Sequence, residues 1–207
     1  MARTDARTDT RTDTGTYHFF YSERSPEESC FTNFVKVSYT IDPSDFPDSK
    51  YGFMHGIRFS SSEQGFMYGK ALIFGDEKNA AKILEAATPR EAKDLGKVTK
   101  GFTHKLWNPH KVEIMYENCY SKFKTNKKMR KKLLATGNSI LVEASGRDDI
   151  WGIGINMKNA LISDPDKWGL NLLGKVLMRV RDRLLRAIDA KADFSEHDAS
   201  ASLHAKP

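Results

Sequence analysis

The chain has 207 residues, of which 39% are hydrophobic and 29% are charged. This composition is typical of one globular domain, and no apolar run approaches the roughly 20 residues that a membrane-spanning helix needs. Cys30 and Cys119 are the only cysteines, and the N-terminus, MARTDARTDT, lacks the apolar segment of a secretory signal. We therefore expect an intracellular, cytoplasmic or nuclear protein that makes no membrane contact and has no disulfide framework.

The net charge is +6, and the excess of positive charge is concentrated in residues 122–132. This segment, KFKTNKKMRKK, has seven basic residues and no acidic one. Two interpretations stay open. The segment is either a solvated helix face or a strip that contacts the phosphates of DNA or RNA.

The two ends of the chain differ in composition from its centre. Residues 1–16 contain the tripeptide RTD at Arg3, Arg7 and Arg11, and such charge-balanced units cannot offset the entropy of ordering. We predict a disordered tail there and a flexible C-terminal tail over 189–207, which ends in SEHDASASLHAKP. One domain is predicted for residues 17–188.

The first half of that domain begins with a short aromatic strand, YHFFYS, at 17–22. Residues 42–56 are rich in Pro, Asp, Ser and Gly, which predicts an extended loop. Ser60, Ser61 or Ser62 is expected to cap a helix that runs to about Phe74. The segment GDEKNAAKILEAA predicts a second helix, and Thr88, followed by Pro89 and Glu91, predicts the start of a third.

The second half is predicted to hold two longer helices around one strand, NSILVEAS, at 138–145. The first has a single buried stripe of residues at helical spacing, namely Val112, Met115, Tyr116, Cys119 and Phe123. The last buries an apolar face and turns four arginines largely outward: Leu173, Val176, Leu177, Val180 and Leu184, with Arg179, Arg181, Arg183 and Arg186. The fold class is therefore α+β, a single mostly helical domain with a few short strands.

One face of the helix that begins near Ser62 carries the first candidate site. Glu63 and Lys70 share that face and lie roughly 10 Å apart along the axis, so both head groups are expected to border one pocket. The free N–H groups at the helix start suit a phosphate. The plain alternative is that Glu63 only stabilises the first turn of the helix.

The second candidate site is RDDIWGIG at 147–154, which directly follows the strand at 138–145. Acids beside a Trp and two glycines fit a place where the backbone approaches a ligand and an indole stacks on a ring. A plain turn after a strand stays open as well. Trp107 also has two interpretations: its side chain either packs in the core or stacks on a ligand. Neither a metal-ligand cluster, a nucleophile elbow nor a P-loop is recognisable, which favours carboxylate chemistry without a cofactor.

Together these segments resemble the NADAR family, also called YbiA-like. The matching pieces occur in family order from residue 20 to residue 174: FYSERSP, FTNF, SSEQ, KALIFGD, TPREAKDLG, Trp107, LLATGN, LVEAS, RDDIWGIG and NLLG. The resemblance implies an α+β, mostly helical fold and N-glycosidase activity on ribosylated substrates. Those substrates include ADP-ribose on the amino group of guanine, in nucleotides or nucleic acid, and phosphoribosylated intermediates of riboflavin synthesis.

The resemblance also implies functional positions in this chain. The catalytic candidates are Glu63, Lys70 and Asp148. The substrate-binding candidates are Ser61, Ser62, Trp107, Arg147, Trp151, Gly152, Asn33, Phe20 and Tyr21. FTNF replaces the more usual FSNF, and the 42–56 loop resembles an insertion that could affect substrate choice.

Cleavage of a ribosyl C–N bond builds positive charge at C1 of the sugar and requires a proton on the departing nitrogen. We expect Glu63 to stabilise that charge and activate water, and Asp148 to orient the ribose or protonate the base. A second route has Lys70 trap the ring-opened sugar as a Schiff base. Trp107 and Trp151 are expected to stack on bases, while Arg147 and the helix start hold the diphosphate.

Two other classes of function stay open. A non-catalytic reader would bind ADP-ribose or NAD tightly without releasing a base. A nucleic-acid-binding module would use residues 122–132, with binding that depends strongly on salt.

Overall fold

The computed structural model describes residues 16–22, 25 and 27–203, with side chains described up to residue 190. The RTD repeat, up to residue 15, and residues 204–207 lie outside the described residues. Over the described part, seven α-helices and four short strands form the α+β fold that the sequence predicts. No helix in that part is long and apolar enough to cross a membrane.

Two pairs of short strands join segments that are distant in the chain. Strand β1 (Tyr17–Phe20) pairs in parallel with β4 (Ile140–Glu143), so that Phe20 lies opposite Glu143. Strand β2 (Tyr39–Thr40) pairs antiparallel with β3 (Arg58–Phe59). Because a parallel pair needs a long crossover, most of the helices lie between β1 and β4.

The structure describes five α-helices between these strands, of which the first three begin where the sequence predicts. They are α1 (Ser62–Ile73), α2 (Glu77–Glu85), α3 (Pro89–Lys97), α4 (His104–Thr125) and α5 (Lys127–Leu134). Thr88 caps α3 by accepting a hydrogen bond from the Glu91 N–H, and the Glu91 carboxylate accepts one from the Ala87 N–H. This reciprocal cap confirms the predicted start of α3.

The remaining helices are the short α6 (Met157–Ala160) and the long α7 (Leu172–Leu203). The predicted apolar face of α7 is confirmed, because all five of its residues are buried. The outward direction predicted for its arginines is wrong for Arg181, which is 5% exposed and donates to the Thr136 hydroxyl and the Ser139 carbonyl. The predicted domain end at Ile188 lies inside this helix, and the domain boundaries stay predictions.

Helix α4 is the centre of the core. It packs against α1 and α7, and every residue from Ile114 to Phe123 is buried. The predicted single stripe is therefore too narrow, because neighbours surround this part of the helix. Gly65 of α1 allows the close contact with α4, since a Cβ at that position would lie 1.8 Å from the Asn118 side-chain oxygen.

The 42–56 loop contains two short 3-10 helices, Pro43–Asp45 and Gly52–Met54, rather than extended chain throughout. Ser49 and His55 bond to Glu117 of α4, and the Arg183 side chain of α7 donates to the Asp45 carbonyl. These polar contacts attach the loop to α4 and α7.

Candidate active site

The candidate site forms at the edge of the sheet where β1 and β4 both end. Glu143 is the last residue of β4, and the chain then turns back so that the Ile153 N–H donates to the Glu143 carbonyl at 3.0 Å. Tyr21, which follows β1, is 50% exposed. The carboxyl ends of parallel strands meet at one edge, so the 147–154 segment lies beside the end of β1.

The side chains of the SSEQ motif, residues 61–64, differ in their contacts. The Ser61 hydroxyl caps α1 by accepting from the Gln64 N–H at 3.1 Å, and the Gln64 amide bonds to Ser60 and to two carbonyls of α2. Ser62 is fully buried. Glu63 is also buried, yet its carboxylate makes no hydrogen bond or ion pair with the described residues. The Ser62 hydroxyl likewise has no partner among the described residues, so Glu63 is the ionisable side chain of this motif that is left available for chemistry.

Glu143 is a second, half-buried acid that interacts with Glu63. One of its oxygens, Oε2, is buried and has no hydrogen-bond partner among the described residues. Burial raises the pKa of Glu63 to about 7. Lys93 opposes this shift, and the nearby Asp148 contributes to it. Burial also raises the pKa of Glu143 to about 7, reinforced by Asp148 and Glu63. Both carboxyl groups therefore titrate near neutral pH.

Asp148 differs from this pair because its carboxylate is already engaged. Its Oδ1 accepts hydrogen bonds from the backbone N–H groups of Ile150 at 3.0 Å and Trp151 at 2.7 Å. Gly152 is needed for the same turn, since a Cβ there would lie 2.7 Å from the Glu143 carbonyl oxygen. Asp148 and Gly152 therefore shape the loop that brings Asp148 close to Glu63 and Glu143. Arg147 is exposed at its start.

The Lys70 ammonium is bonded to α3 and not to Glu63. It donates to the Gly96 carbonyl of α3 at 2.9 Å and lies 4.0 Å from the centre of the Phe102 ring. Burial lowers the pKa of Lys70, and Glu63 opposes that shift. Lys93 of α3 is instead the cation with the largest effect on the pKa of Glu63, followed by Arg90. The contact with Gly96 joins α1 to α3.

The predicted aromatic residues fall into two groups. Phe20 is fully buried against Phe31, and Trp107 is 6% exposed, so neither side chain is free to meet a substrate in this structure. Phe66, one turn after Glu63, contacts Trp107 at 5.2 Å and Trp151 at 5.1 Å between ring centres. Trp151 is half-buried, which places it at the rim of the core beside the Asp148 turn.

Asn33 lies next to Glu63 through its backbone. Its carbonyl accepts from the Glu63 N–H at 3.0 Å, while its buried side-chain Oδ1 has no partner among the described residues. Asn33 and Ser61 accept from the N–H groups of Glu63 and Gln64, so two of the donors expected to hold a phosphate at the start of α1 are already used.

The basic 122–132 segment is not one continuous surface strip. Lys122 has no exposed surface, and its ammonium donates to the carbonyls of Cys30 and Thr32. Lys124 pairs with Asp45 at 2.7 Å. The four lysines of α5 are exposed, namely Lys127, Lys128, Lys131 and Lys132. The expected nucleic-acid strip thus loses Lys122, which is structural.

Three site residues escaped the sequence reasoning: Glu143, Arg90 and Lys93. Glu143 stands inside a strand-like segment, where a lone acid reads as a solvent-facing residue. Arg90 and Lys93 are three residues apart and therefore share a face of α3, but that pattern is also typical of a solvated surface. Within the described residues, no group of three His, Cys, Asp or Glu side chains is arranged to hold a metal ion.

Comparison with known proteins supports the family resemblance seen in the sequence. The model of the NADAR domain family matches residues 19–185. The chain is 41% identical to N-glycosidase R617 of Acanthamoeba polyphaga mimivirus over 141 residues, which are 66% of this chain and 83% of that protein. It is 42% identical to Protein irg-1 of Caenorhabditis elegans over 164 residues, 76% of this chain and 77% of that protein.

A solved structure shares the fold. The NMR structure of the E. coli protein YbiA superposes with a TM-score of 0.62 at 27% sequence identity, covering 89% of this chain and 92% of that one. The likeness therefore extends over nearly the whole of both chains.

Proposed function

Because this chain belongs to the NADAR domain family, we propose that it is an N-glycosidase that releases ADP-ribose from the amino group of guanine. The N-glycosidase class is supported by the mimivirus relative, which carries that name. The observation that carries the proposal is the juxtaposition of the buried, unpaired Glu63 with Glu143 and Asp148.

The chemistry requires one ionised and one protonated acid at the same time. Two interacting carboxyls that both titrate near neutral pH hold on average a shared proton, so the pair supplies both forms. Lys93, Arg90 and Lys70 favour the ionised form of Glu63, whereas Lys93 alone does so for Glu143. Asp148 favours the protonated form of both acids, and Glu63 adds to that effect on Glu143. The charge therefore belongs on Glu63 and the proton on Glu143.

In the proposed reaction, the ionised Glu63 faces C1 of the ribose and stabilises the positive charge that develops there. The C1–N bond breaks, its electron pair stays on the nitrogen, and Glu143 donates a proton to that nitrogen. A water molecule then adds to C1 and gives its proton to a carboxylate, which restores the pair. Asp148, held by two backbone donors, orients the ribose, and Trp151 offers a stacking surface.

The second route, through Lys70, is chemically distinct. In the ring-opened sugar, C1 is joined to the base nitrogen as an iminium. The unprotonated amine of Lys70 adds to C1, and the C1–N bond to the base breaks as that nitrogen takes up a proton. The Schiff base that remains on Lys70 is reduced by borohydride to a stable adduct. This route requires the ammonium to leave the Gly96 carbonyl and lose a proton, which the lowered pKa of Lys70 favours. A covalent sugar adduct that disappears in Lys70→Ala would establish it.

The direct test measures released bases and sugars by mass spectrometry. The substrates are ADP-ribosyl-guanine as a nucleotide, the same group in single-stranded DNA and RNA, and a phosphoribosylamino pyrimidine of riboflavin synthesis. We expect free ADP-ribose and the unmodified guanine nucleotide from the first class, and a loss of about 10²- to 10⁴-fold in Glu63→Gln and Glu143→Gln. Glu85→Gln, an exposed acid of α2, is the matched control.

Three results would overturn parts of the proposal. Tight binding of ADP-ribose with no base released from any substrate would identify a non-catalytic reader. Release from the pyrimidine alone would move the activity to riboflavin intermediates. Normal turnover in both glutamine variants would place the chemistry elsewhere.

A further inference from the structure

An open cleft of about 370 Å³ lies between the segment after Asn33 and the start of α3, lined by Phe34, Val35, Lys36, Thr88, Pro89 and Arg90. We propose that this cleft, called here the 34–36/88–90 cleft, binds the phosphate groups of the ribosylated substrate. The inference rests on the proposed function, because it assigns a place to another part of the same substrate. Its volume falls in the range of small-ligand pockets.

The cleft adjoins the candidate catalytic site through Asn33. Asn33, whose carbonyl holds the backbone of Glu63, directly precedes Phe34 in the cleft wall. The guanidinium of Arg90 and the ammonium of Lys93 both lie over the Phe34 ring, 5.6 and 5.2 Å from its centre. The same two cations act on the carboxyl of Glu63. A ligand in the cleft would therefore meet groups that also govern Glu63.

The charges around the cleft are positive and unneutralised. Lys36, Arg90 and Lys93 make no ion pair with a described carboxylate. The neighbouring acids of α3 have other partners, since Glu91 bonds to the Ala87 N–H and Asp94 pairs with Lys97 at 2.6 Å. Unpaired cations that surround a concave surface attract an anion, and an arginine fork matches the oxygens of a phosphate.

At the other expected phosphate position, the start of α1, two N–H groups are already bonded within the protein. The N–H groups at the start of α1 bond to Asn33 and Ser61, so they have no free donor for a diphosphate at Glu63 and Gln64. A neutral ribose or base has no need of three cations. A ribose 5-phosphate or the diphosphate of ADP-ribose does, and both present the same oxygens to the cleft.

The test compares charge reversal inside and outside the cleft. Lys36→Glu is the test variant, because Lys36 is exposed and takes no part in the proposed catalysis; Lys78→Glu, an exposed lysine of α2, is the control. Titration calorimetry measures the affinities for ADP-ribose, ribose 5-phosphate and adenosine, which has no phosphate. We expect Lys36→Glu to weaken binding of ADP-ribose at least about tenfold, and to leave adenosine unchanged. The control is expected to stay within about twofold.

The two phosphate ligands distinguish the sources of the anion. An equal loss for ribose 5-phosphate means that the cleft holds the phosphate next to the reacting sugar; a loss for ADP-ribose alone means that it holds the distal one. Equal effects of Lys36→Glu and Lys78→Glu on ADP-ribose, or an equal loss for adenosine, would overturn the proposal. Because these are binding measurements, they stand even when no base is released, so failure of the catalytic proposal is recognised separately.

Discussion

Glu63 of α1 and Glu117 of α4 are equally buried, each 4% exposed, but only one of them has partners. Glu117 accepts hydrogen bonds from Ser49 and His55, which fastens the 42–56 loop to the core. Glu63 has no such bond among the described residues. Burying an unpaired acid costs free energy, so a fold that retains one beside a second unpaired acid, Glu143, has kept it for another purpose.

The lysines show the same contrast less sharply. Lys122 is completely buried and donates to two carbonyls, so it is a structural residue despite its place in a basic run. Lys70 resembles it, since its ammonium donates to the Gly96 carbonyl and rests on Phe102. Partners, more than burial, separate structural from functional ionisable groups here.

The largest effect is expected from replacing one acid of each kind, Glu63 without hydrogen-bond partners and Glu117 with them. Glu63→Gln should lower kcat/KM by about 10²- to 10⁴-fold and leave the fold stable. Glu117→Gln should retain activity within about threefold but lower the free energy of unfolding by about 1–3 kcal/mol, because its partners lose a charged acceptor. Urea unfolding and initial rates measure both. A stable, inactive Glu117→Gln would break the comparison.

Removal of the buried ammonium tests the structural class directly. Lys122→Met leaves the carbonyls of Cys30 and Thr32 without a donor and should lower the free energy of unfolding by about 2–5 kcal/mol. Lys128→Met removes an exposed lysine of α5 and should change it by less than about 0.5 kcal/mol. If both variants unfold at the same urea concentration, Lys122 is not a structural residue.

The raised pKa values predict how stability depends on pH. Between the ordinary carboxyl pKa of 4.5 and the raised value of about 7, folded Glu63 and Glu143 bind more protons than the unfolded chain does. The free energy of unfolding therefore falls as pH rises through this window, by up to about 3 kcal/mol for each group. Glu63→Gln should have a shallower slope in urea unfolding between pH 5 and 7. Equal slopes would contradict the assignment.

The smallest effect concerns Lys70. If it belongs with Lys122, Lys70→Met should lower the free energy of unfolding by about 1–2 kcal/mol through loss of the contacts with Gly96 and Phe102. Turnover should fall less than in Glu63→Gln, and borohydride should trap no sugar on the wild-type protein. A trapped adduct on Lys70 would move this lysine into the catalytic class.

Local rules predicted much of this fold because they act within a few residues. Ser61 and Thr88 cap helices by bonding to the third residue after each, and the apolar face of α7 follows from helical spacing. Likewise, the spacing indicated that Glu63 stands in the first turn of α1. These features needed no knowledge of distant parts of the chain.

The family-specific order of short motifs indicated Glu63 and Asp148 as candidate site residues from the sequence alone. Their roles, like those of Arg147 and Tyr21, stay predictions. Spacing on α1 could not reveal that Lys70 turns to Gly96, because that carbonyl belongs to α3. Lys122 was misread for the same reason, since its partners lie about ninety residues earlier in the chain.

The sequence by itself determined where α1, α2 and α3 begin, which face of α7 is apolar, and that an acid occupies the first turn of α1. Only the tertiary structure decided that Glu143 joins this acid, because the packing of Phe66 against Trp151 brings the start of α1 to the segment that follows β4. It also decided which buried charges have partners. Burial and pairing depend on the whole fold, so the difference between a structural and a functional charge is settled there.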